Sequence, residues 1–246
     1  MNKNLPYGMI IASFIFGAGS LALFLAFLLI GSFNLVQFNI STIQALLLDL
    51  GLSLIFFIQH SIMARKGARD ILTEFIPDVY YNAFYSVISG VTLILVLILW
   101  QGAPRIIAGT SGIYYWMMRL MFVMAIAGFA WGANSLGALD PFGVRDIKRH
   151  LKNSKPKPLP FMMKGAYRLV RHPFYLFSIL MIWACPELTA DRLLFNILWS
   201  AWICIGAVLE EGNLVLEFGE QYLDYQSKVP MIIPFRLSCT ADDKGR

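Results

Sequence analysis

A series of uninterrupted apolar runs, each close to the length of a bilayer-spanning helix, constrains this chain more than anything else in it. A helix rises about 1.5 Å per residue, so crossing about 30 Å of hydrocarbon takes about 20 mostly apolar residues. Met9 to Gly31 is the first such run. A signal-peptide core holds only about 7–15 apolar residues. This run is longer and lacks a clear small-x-small cleavage site, so it reads as an uncleaved anchor. Ile43 to Met63 is the second, interrupted by Gln44, Asp49, Gln59 and His60. Tyr81 to Trp100 and Tyr115 to Leu136 follow. Phe174 to Cys185 is too short to cross alone and gains length only by extension back through His172-Pro173. Leu193 to Leu209 is the sixth, and the last two read as a tight hairpin joined at Pro186-Glu187-Leu188-Thr189. The expected fold is all-α: a polytopic integral membrane protein of about six transmembrane helices, with five as the alternative.

Composition agrees. Hydrophobic residues make up 58% of the 246, and charged residues only 14%, where a soluble domain carries about a quarter. A soluble enzyme, a disordered chain and a coiled coil are all disfavoured. Lysine and arginine also sort by segment, as cytoplasmic loops require. With the N-terminus inside, 17 of the 20 fall in inside segments, nine of them between Arg145 and Arg171. Arg105 and Arg192 fall outside, and Arg119 near the start of the fourth span. Both termini are therefore expected in the cytoplasm.

The chain divides into an N-terminal four-helix membrane region, residues 1–137, a C-terminal core, 138–236, and a flexible tail, 237–246. The core opens with a basic connection over 138–172 that includes Lys155-Pro156-Lys157-Pro158-Leu159-Pro160. Proline-rich composition favours an extended path there. A polar helix is expected from Glu210 toward Tyr225. There is no internal repeat, and no nucleic-acid motif.

Metal chemistry finds little support. Cys185, Cys204 and Cys239 have no CxxC spacing, and His60, His150 and His172 do not pair four apart on a helix. The first two cysteines lie in apolar runs and read as small hydrophobes.

Two clusters carry the chemistry. In Tyr167-Arg168-Leu169-Val170-Arg171-His172-Pro173-Phe174-Tyr175, cations and aromatics gather where a helix begins at Pro173. Proline suits a first turn, and the N–H groups and dipole there attract anions. The same residues equally read as a basic anchor on lipid headgroups. Glu210-Glu211 directly follows an apolar run. Carboxylates at a membrane edge cost a few kcal/mol unless paired or hydrated, so the pair reads either as functional or as a helix emerging into water. Glu210, Leu214, Phe218 and Tyr222 repeat at i, i+4 spacing. Both clusters flank the short hairpin on one side of the membrane, where they can meet.

These residues, with Phe218-Gly219, Tyr222, Tyr225 and Val229-Pro230, resemble the isoprenylcysteine carboxyl methyltransferase superfamily of membrane enzymes. Within it the chain is most similar to the nurim/NnrU branch, which includes methanethiol S-methyltransferases. Gln59-His60-Ser61-Ile62-Met63-Ala64-Arg65, Asp140-Pro141-Phe142-Gly143 and Pro158-Leu159-Pro160-Phe161 add to the likeness. It runs from about residue 50 to 236.

The resemblance implies S-adenosylmethionine as methyl donor, bound at the cytoplasmic face and making 138–236 the methyltransferase core. It implies donor contacts from Tyr167, His172, Pro173, Phe174, Tyr175, Glu210 and Glu211, and catalytic roles for Arg171, His172 and Glu210. His60 and Arg168 are assigned to the substrate pocket; His60 equally reads as a packing residue. The implied acceptor is a small lipid-soluble thiol such as methanethiol, and the implied location a bacterial inner membrane. Prenylcysteine enzymes carry arginine four positions before the Glu210 equivalent, where this chain has Gly206. Many methanethiol-type sequences read Arg-Leu-Glu-Glu-Arg, where this chain reads Val208-Leu209-Glu210-Glu211-Gly212. A lipid or prenylated-cysteine acceptor, a non-catalytic membrane protein and a transporter remain the competing classes. The transporter class lacks the repeated halves it usually shows.

Overall fold

Residues 4–137, 140–154 and 161–235 are described by a computed structural model. The Lys155–Pro160 stretch and the 237–246 tail, both singled out above, lie outside the described residues.

Among the described residues, five helices are long and apolar enough to cross a membrane: α1 (Leu5–Ile30), α2 (Thr42–Met63), α4 (Asp78–Leu99), α5 (Gly112–Leu136) and α8 (Ala190–Phe218). Short helices α3 (Lys66–Leu72) and α6 (Val144–Leu151) join them at one end, and α9 (Glu220–Lys228) follows α8 there. A sixth apolar helix, α7 (Pro173–Trp183), has 11 residues and reaches only about 16 Å. The chain then continues through Ala184 to Pro186 into strand β2 (Glu187–Thr189), which pairs antiparallel with β1 (Ile106–Gly109) at the opposite end. The sixth passage between the two ends is thus half helix and half extended chain. Such backbone survives in a bilayer only where protein satisfies it; here Pro186 O accepts from Thr110 N at 2.8 Å.

Local sequence explains the boundaries. Ser41 and Gln44 form a capping box at the start of α2, Gln44 Oε1 accepting from Ser41 N at 2.9 Å. The last carbonyls of α1 run out of following helical N–H groups, although Phe27 O still accepts from Gly31 N at 2.9 Å. Arg192 Nη1 and Nη2 donate to Phe27 O and Leu28 O at 3.0 and 2.6 Å, and Arg119 donates to Leu29 O. Arg192, counted as an outer charge, and Arg119, placed near the start of the fourth span, therefore cap a helix end. Asp49 and Asp191 hold the chain after α4, accepting from Gln101 N and Ala103 N at 2.9 Å each.

Between the ends lies an aromatic core of Phe27, Phe56, Trp100, Phe195 and Trp199, all buried. Trp199 stacks on Phe195 and Phe56 at 4.7 and 5.2 Å. α1 and α4 approach closely because both offer glycine. A Cβ on Gly90 would lie 2.2 Å from Phe16 O, and one on Gly17 2.4 Å from Ser86 Oγ. α1 passes this point as a π-turn over Phe14–Ala18.

The polar helix expected from Glu210 differs in outline. α8 continues through Phe218 and stops at Gly219, whose φ of +56° ends the helix before α9 begins. Glu210 and Glu211 therefore lie two turns inside α8, held by a helix rather than at its start.

Candidate active site

The site forms where α7 begins, α8 ends and α9 folds back. Gly165–Arg168 makes a 3-10 turn seated on α5, with Ala166 N donating to Ser135 Oγ at 3.2 Å. Arg171 N and His172 N then donate to Pro230 O and Met231 O at 2.9 and 3.0 Å. The Pro230-Met231 segment thus fixes the Arg171-His172 backbone by direct pairing.

Glu211 is the anchor beneath. It is 8% exposed. Arg171 Nε and Nη2 donate to its two carboxylate oxygens at 2.9 Å each. Tyr222 Oη donates to Oε1 at 2.8 Å, His172 Nε2 lies 2.7 Å from the same oxygen, and Gln226 donates to Oε2. Arg171 Nη1 also donates to Val229 O at 2.5 Å. A carboxylate so fully engaged is a structural post. The Arg171 charge is spent on it rather than offered to a ligand.

Glu210, one residue earlier, points the other way. It is half-exposed and accepts from Tyr175 Oη at 2.8 Å. His172 Nδ1 lies 3.6 Å from its Oε2, so the imidazole stands between the two carboxylates. The His172 and Tyr175 rings stack, 5.3 Å apart with 8° between planes.

In front of these groups lies a cavity of about 390 Å³. Tyr167, Arg171, His172, Pro173, Phe174, Tyr175 and Glu210 all line it, so the structure brings these sequence candidates together. Glu211 lies behind the wall. Arg168 is exposed, donates to Met163 O at 3.3 Å and does not line the cavity. His60 is elsewhere, 2.8 Å from Tyr85 Oη between α2 and α4.

Several lining residues had no role assigned from sequence: Phe161, Leu214, Glu217, Phe218, Tyr222 and Tyr225. Glu217 sits seven residues after Glu210, two helical turns on the same face, a spacing that was there to find. Phe161 packs on Phe218, Tyr225 and Tyr222 at 5.2 to 6.0 Å, closing the far wall with aromatic rings. Burial, reinforced by the Glu210 charge, pushes the Tyr167 phenol up. Burial and the bond to Glu211 do the same for Tyr222, and burial pushes Tyr225 up to about 12. All three are neutral donors at physiological pH.

The family described as "NnrU protein" matches residues 47–210. Methanethiol S-methyltransferase 2 of Bradyrhizobium diazoefficiens is 32% identical over 78% of this chain and 74% of its own length. A methanethiol S-methyltransferase of a Pseudomonas species is 35% identical, with 78% and 74% covered. Nurim of Bos taurus is 26% identical, with 71% and 70% covered. No solved structure matches. The match spans the helices that carry His60, the Arg171-His172-Pro173 turn and Glu210 alike, and the chain belongs to the NnrU family.

Proposed function

We propose that this chain is an integral-membrane methyltransferase that uses S-adenosylmethionine and methylates a small thiol, methanethiol being the model acceptor. The observation that carries the proposal is the cavity that joins an acid, an imidazole and aromatic walls at the start of α7. At about 390 Å³ it is within the range of small-molecule sites, about 300–1,000 Å³. Its donor set suits the cofactor. Glu210 and Glu217 offer carboxylates to an ammonium group. The first turn of α7 offers N–H groups and a positive dipole end to a carboxylate. Phe161, Phe174 and Phe218 offer flat faces to a purine and to a sulfonium cation.

When bound, the cofactor supplies a methyl group already activated for displacement. The chain's own task is then alignment and exclusion of water. Glu211 and Arg171 lock the turn that carries His172. Tyr175 fixes the Glu210 carboxylate toward the cavity. Phe161 and Tyr222 keep solvent from the reacting atoms.

The charge pattern supports a cytoplasmic site with both termini on that side, and the likeness to bacterial relatives supports a bacterial inner membrane. Gly206, which stands where prenylcysteine enzymes carry arginine, disfavours a prenylcysteine carboxylate as acceptor. Calorimetry with S-adenosylhomocysteine on purified protein, followed by headspace detection of dimethyl sulfide from methanethiol, tests the proposal. Micromolar binding and sulfide release are expected. Absence of cofactor or product binding would overturn it.

A further inference from the structure

Both carboxylates that line the cavity are open to an ammonium group, but they stand in different company. Glu210 has polar neighbours: Tyr175 Oη donates to it at 2.8 Å, His172 Nδ1 lies 3.6 Å away, and α7 begins beside them at Pro173. Glu217 lines the same cavity seven residues later, near the end of α8. It is exposed and has no hydrogen bond or ion pair among the described residues. Its neighbours in the wall are rings. Phe218 follows it, and Phe161 packs on Phe218 at 5.2 Å and on Tyr225 at 5.4 Å. Glu217 also sits in the last turn of α8, which holds no basic residue and where the helix dipole disfavours an acid. No contact among the described residues offsets that cost. Leu214 lies between the two acids on the same helix face, a turn from each, and lines the cavity with them.

We infer that the two carboxylates divide the methyl donor between them: Glu217 accepts from the ribose hydroxyls, and Glu210 from the ammonium group. The inference rests on the methyltransferase reading and gives the donor one direction in the cavity. The amino-acid end of S-adenosylmethionine is a zwitterion. It needs an acceptor for its ammonium group and donors for its carboxylate close together. The Glu210 end supplies both, through Glu210 itself and the start of α7. The Glu217 end supplies an acid beside aromatic faces, which suits a diol carried on a purine nucleoside. The carboxylate accepts from two O–H donors by charge-assisted bonds, as acids do for ribose in dinucleotide sites, and the rings take the base. The lengths agree. An extended donor measures about 10 Å from ammonium nitrogen to ribose oxygen at ordinary single-bond lengths, and seven residues of helix rise by about the same. Tyr175 holds Glu210 toward α7, which keeps the two acids from converging on one ammonium. The sulfonium, which joins the two halves of the donor, then falls at the level of Leu214.

The test uses the full-length protein in detergent and calorimetry with two probes. One is S-adenosylhomocysteine. The other is methylthioadenosine, which keeps the nucleoside and lacks the amino-acid end. Glu217→Ala should weaken both about tenfold, the loss of a charge-assisted contact. Glu210→Gln should weaken S-adenosylhomocysteine about tenfold and leave methylthioadenosine within about twofold. Because Glu217 is exposed and sits at a helix C-terminus, Glu217→Ala should melt no lower than the wild type, so lost binding there is not lost folding. The 2′-deoxy form of methylthioadenosine has one hydroxyl fewer. It should distinguish wild type from Glu217→Ala less than methylthioadenosine does. Affinity for S-adenosylhomocysteine within about twofold of wild type in Glu217→Ala would overturn the assignment. So would a Glu217→Ala loss confined to S-adenosylhomocysteine, which would put the ammonium group there. An equal loss for the 2′-deoxy form would do the same, as would no binding of methylthioadenosine by a wild type that binds S-adenosylhomocysteine. Failure of the wild type to bind S-adenosylhomocysteine at all would instead sink the methyltransferase reading, and this inference with it.

Discussion

Arg171 and Glu211, 40 residues apart, meet in a two-point ion pair with both N–O distances at 2.9 Å. The pair joins the turn before α7 to the inner face of α8, and each side chain is 11% exposed. Hydrogen bonds from Tyr222 and Gln226 tie α9 to the same carboxylate. One buried acid thus sets the relative position of three helices around the cavity.

Glu211→Gln should therefore act as a folding lesion before it acts as a catalytic one. Removing one partner of a buried pair costs about 3–5 kcal/mol, because the other charge is stranded. We expect a lower melting temperature in detergent and loss of donor binding at temperatures where the wild type still binds. Arg171→Ala should do the same. A Glu211→Gln protein with wild-type melting and normal affinity would show that the pair positions nothing.

Glu210→Gln should behave in the opposite way. The side chain is 45% exposed, and a half-exposed carboxylate with one neutral hydrogen bond adds at most about 1 kcal/mol to folding. Donor affinity should fall about tenfold or more, as charge-assisted bonds to an ammonium are lost. Calorimetry beside a thermal melt separates the two effects, and unchanged affinity in a well-folded variant would remove Glu210 from the donor site.

The contrast between these neighbours shows what the sequence can and cannot say. The apolar runs predicted the spans because a bilayer demands length and hydrophobicity and little else. α7 with its extended continuation departs from that rule, since partners from β1 satisfy the backbone there. Tyr167, the run from Arg171 to Tyr175, and Glu210 did converge on one cavity. Which of two adjacent glutamates faces that cavity depends on helix phase relative to α7 and α9, and adjacent letters carry no such information. Arg168 and Arg171 pose the same problem three residues apart: one is exposed outside the cavity, and the other is locked on Glu211. The contact of His60 with Tyr85 was not legible for another reason: Tyr85 lies in an unremarkable apolar stretch, and only the packing of α4 against α2 brings the two together.

The phenols around the cavity make a prediction about pH. Tyr225 ionises at about 12 in the folded chain, against about 10 for an exposed phenol, and Tyr167 and Tyr222 are raised as well. A raised acid favours the folded state while it stays protonated. This contribution is complete below about pH 10 and declines as pH rises through the folded value. Melting temperature should thus fall between about pH 10 and 12, and Tyr225→Phe should flatten part of the decline. A wild-type curve that stays level across that interval would show that these phenols are not held protonated by the fold.

The contact between α1 and α4 yields the last prediction. Gly90 faces the α1 backbone so closely that a Cβ would lie 2.2 Å from Phe16 O and 3.1 Å from Gly17 N. A side chain can rotate away from an intruding methyl, but a helix backbone moves only as a unit. Gly90→Ala must therefore push α1 and α4 apart where small residues let them pack, at a cost of about 1–3 kcal/mol by analogy with overpacked cores. Gly206→Ala, also in a spanning helix but with nothing within 4 Å of its Cβ, is the matched control. It should fold at least as well as the wild type, since alanine is the better helix former by about 1 kcal/mol. Thermal melts of the two variants side by side check the argument. Equal stability would mean that the α1–α4 approach is looser than the structure has it.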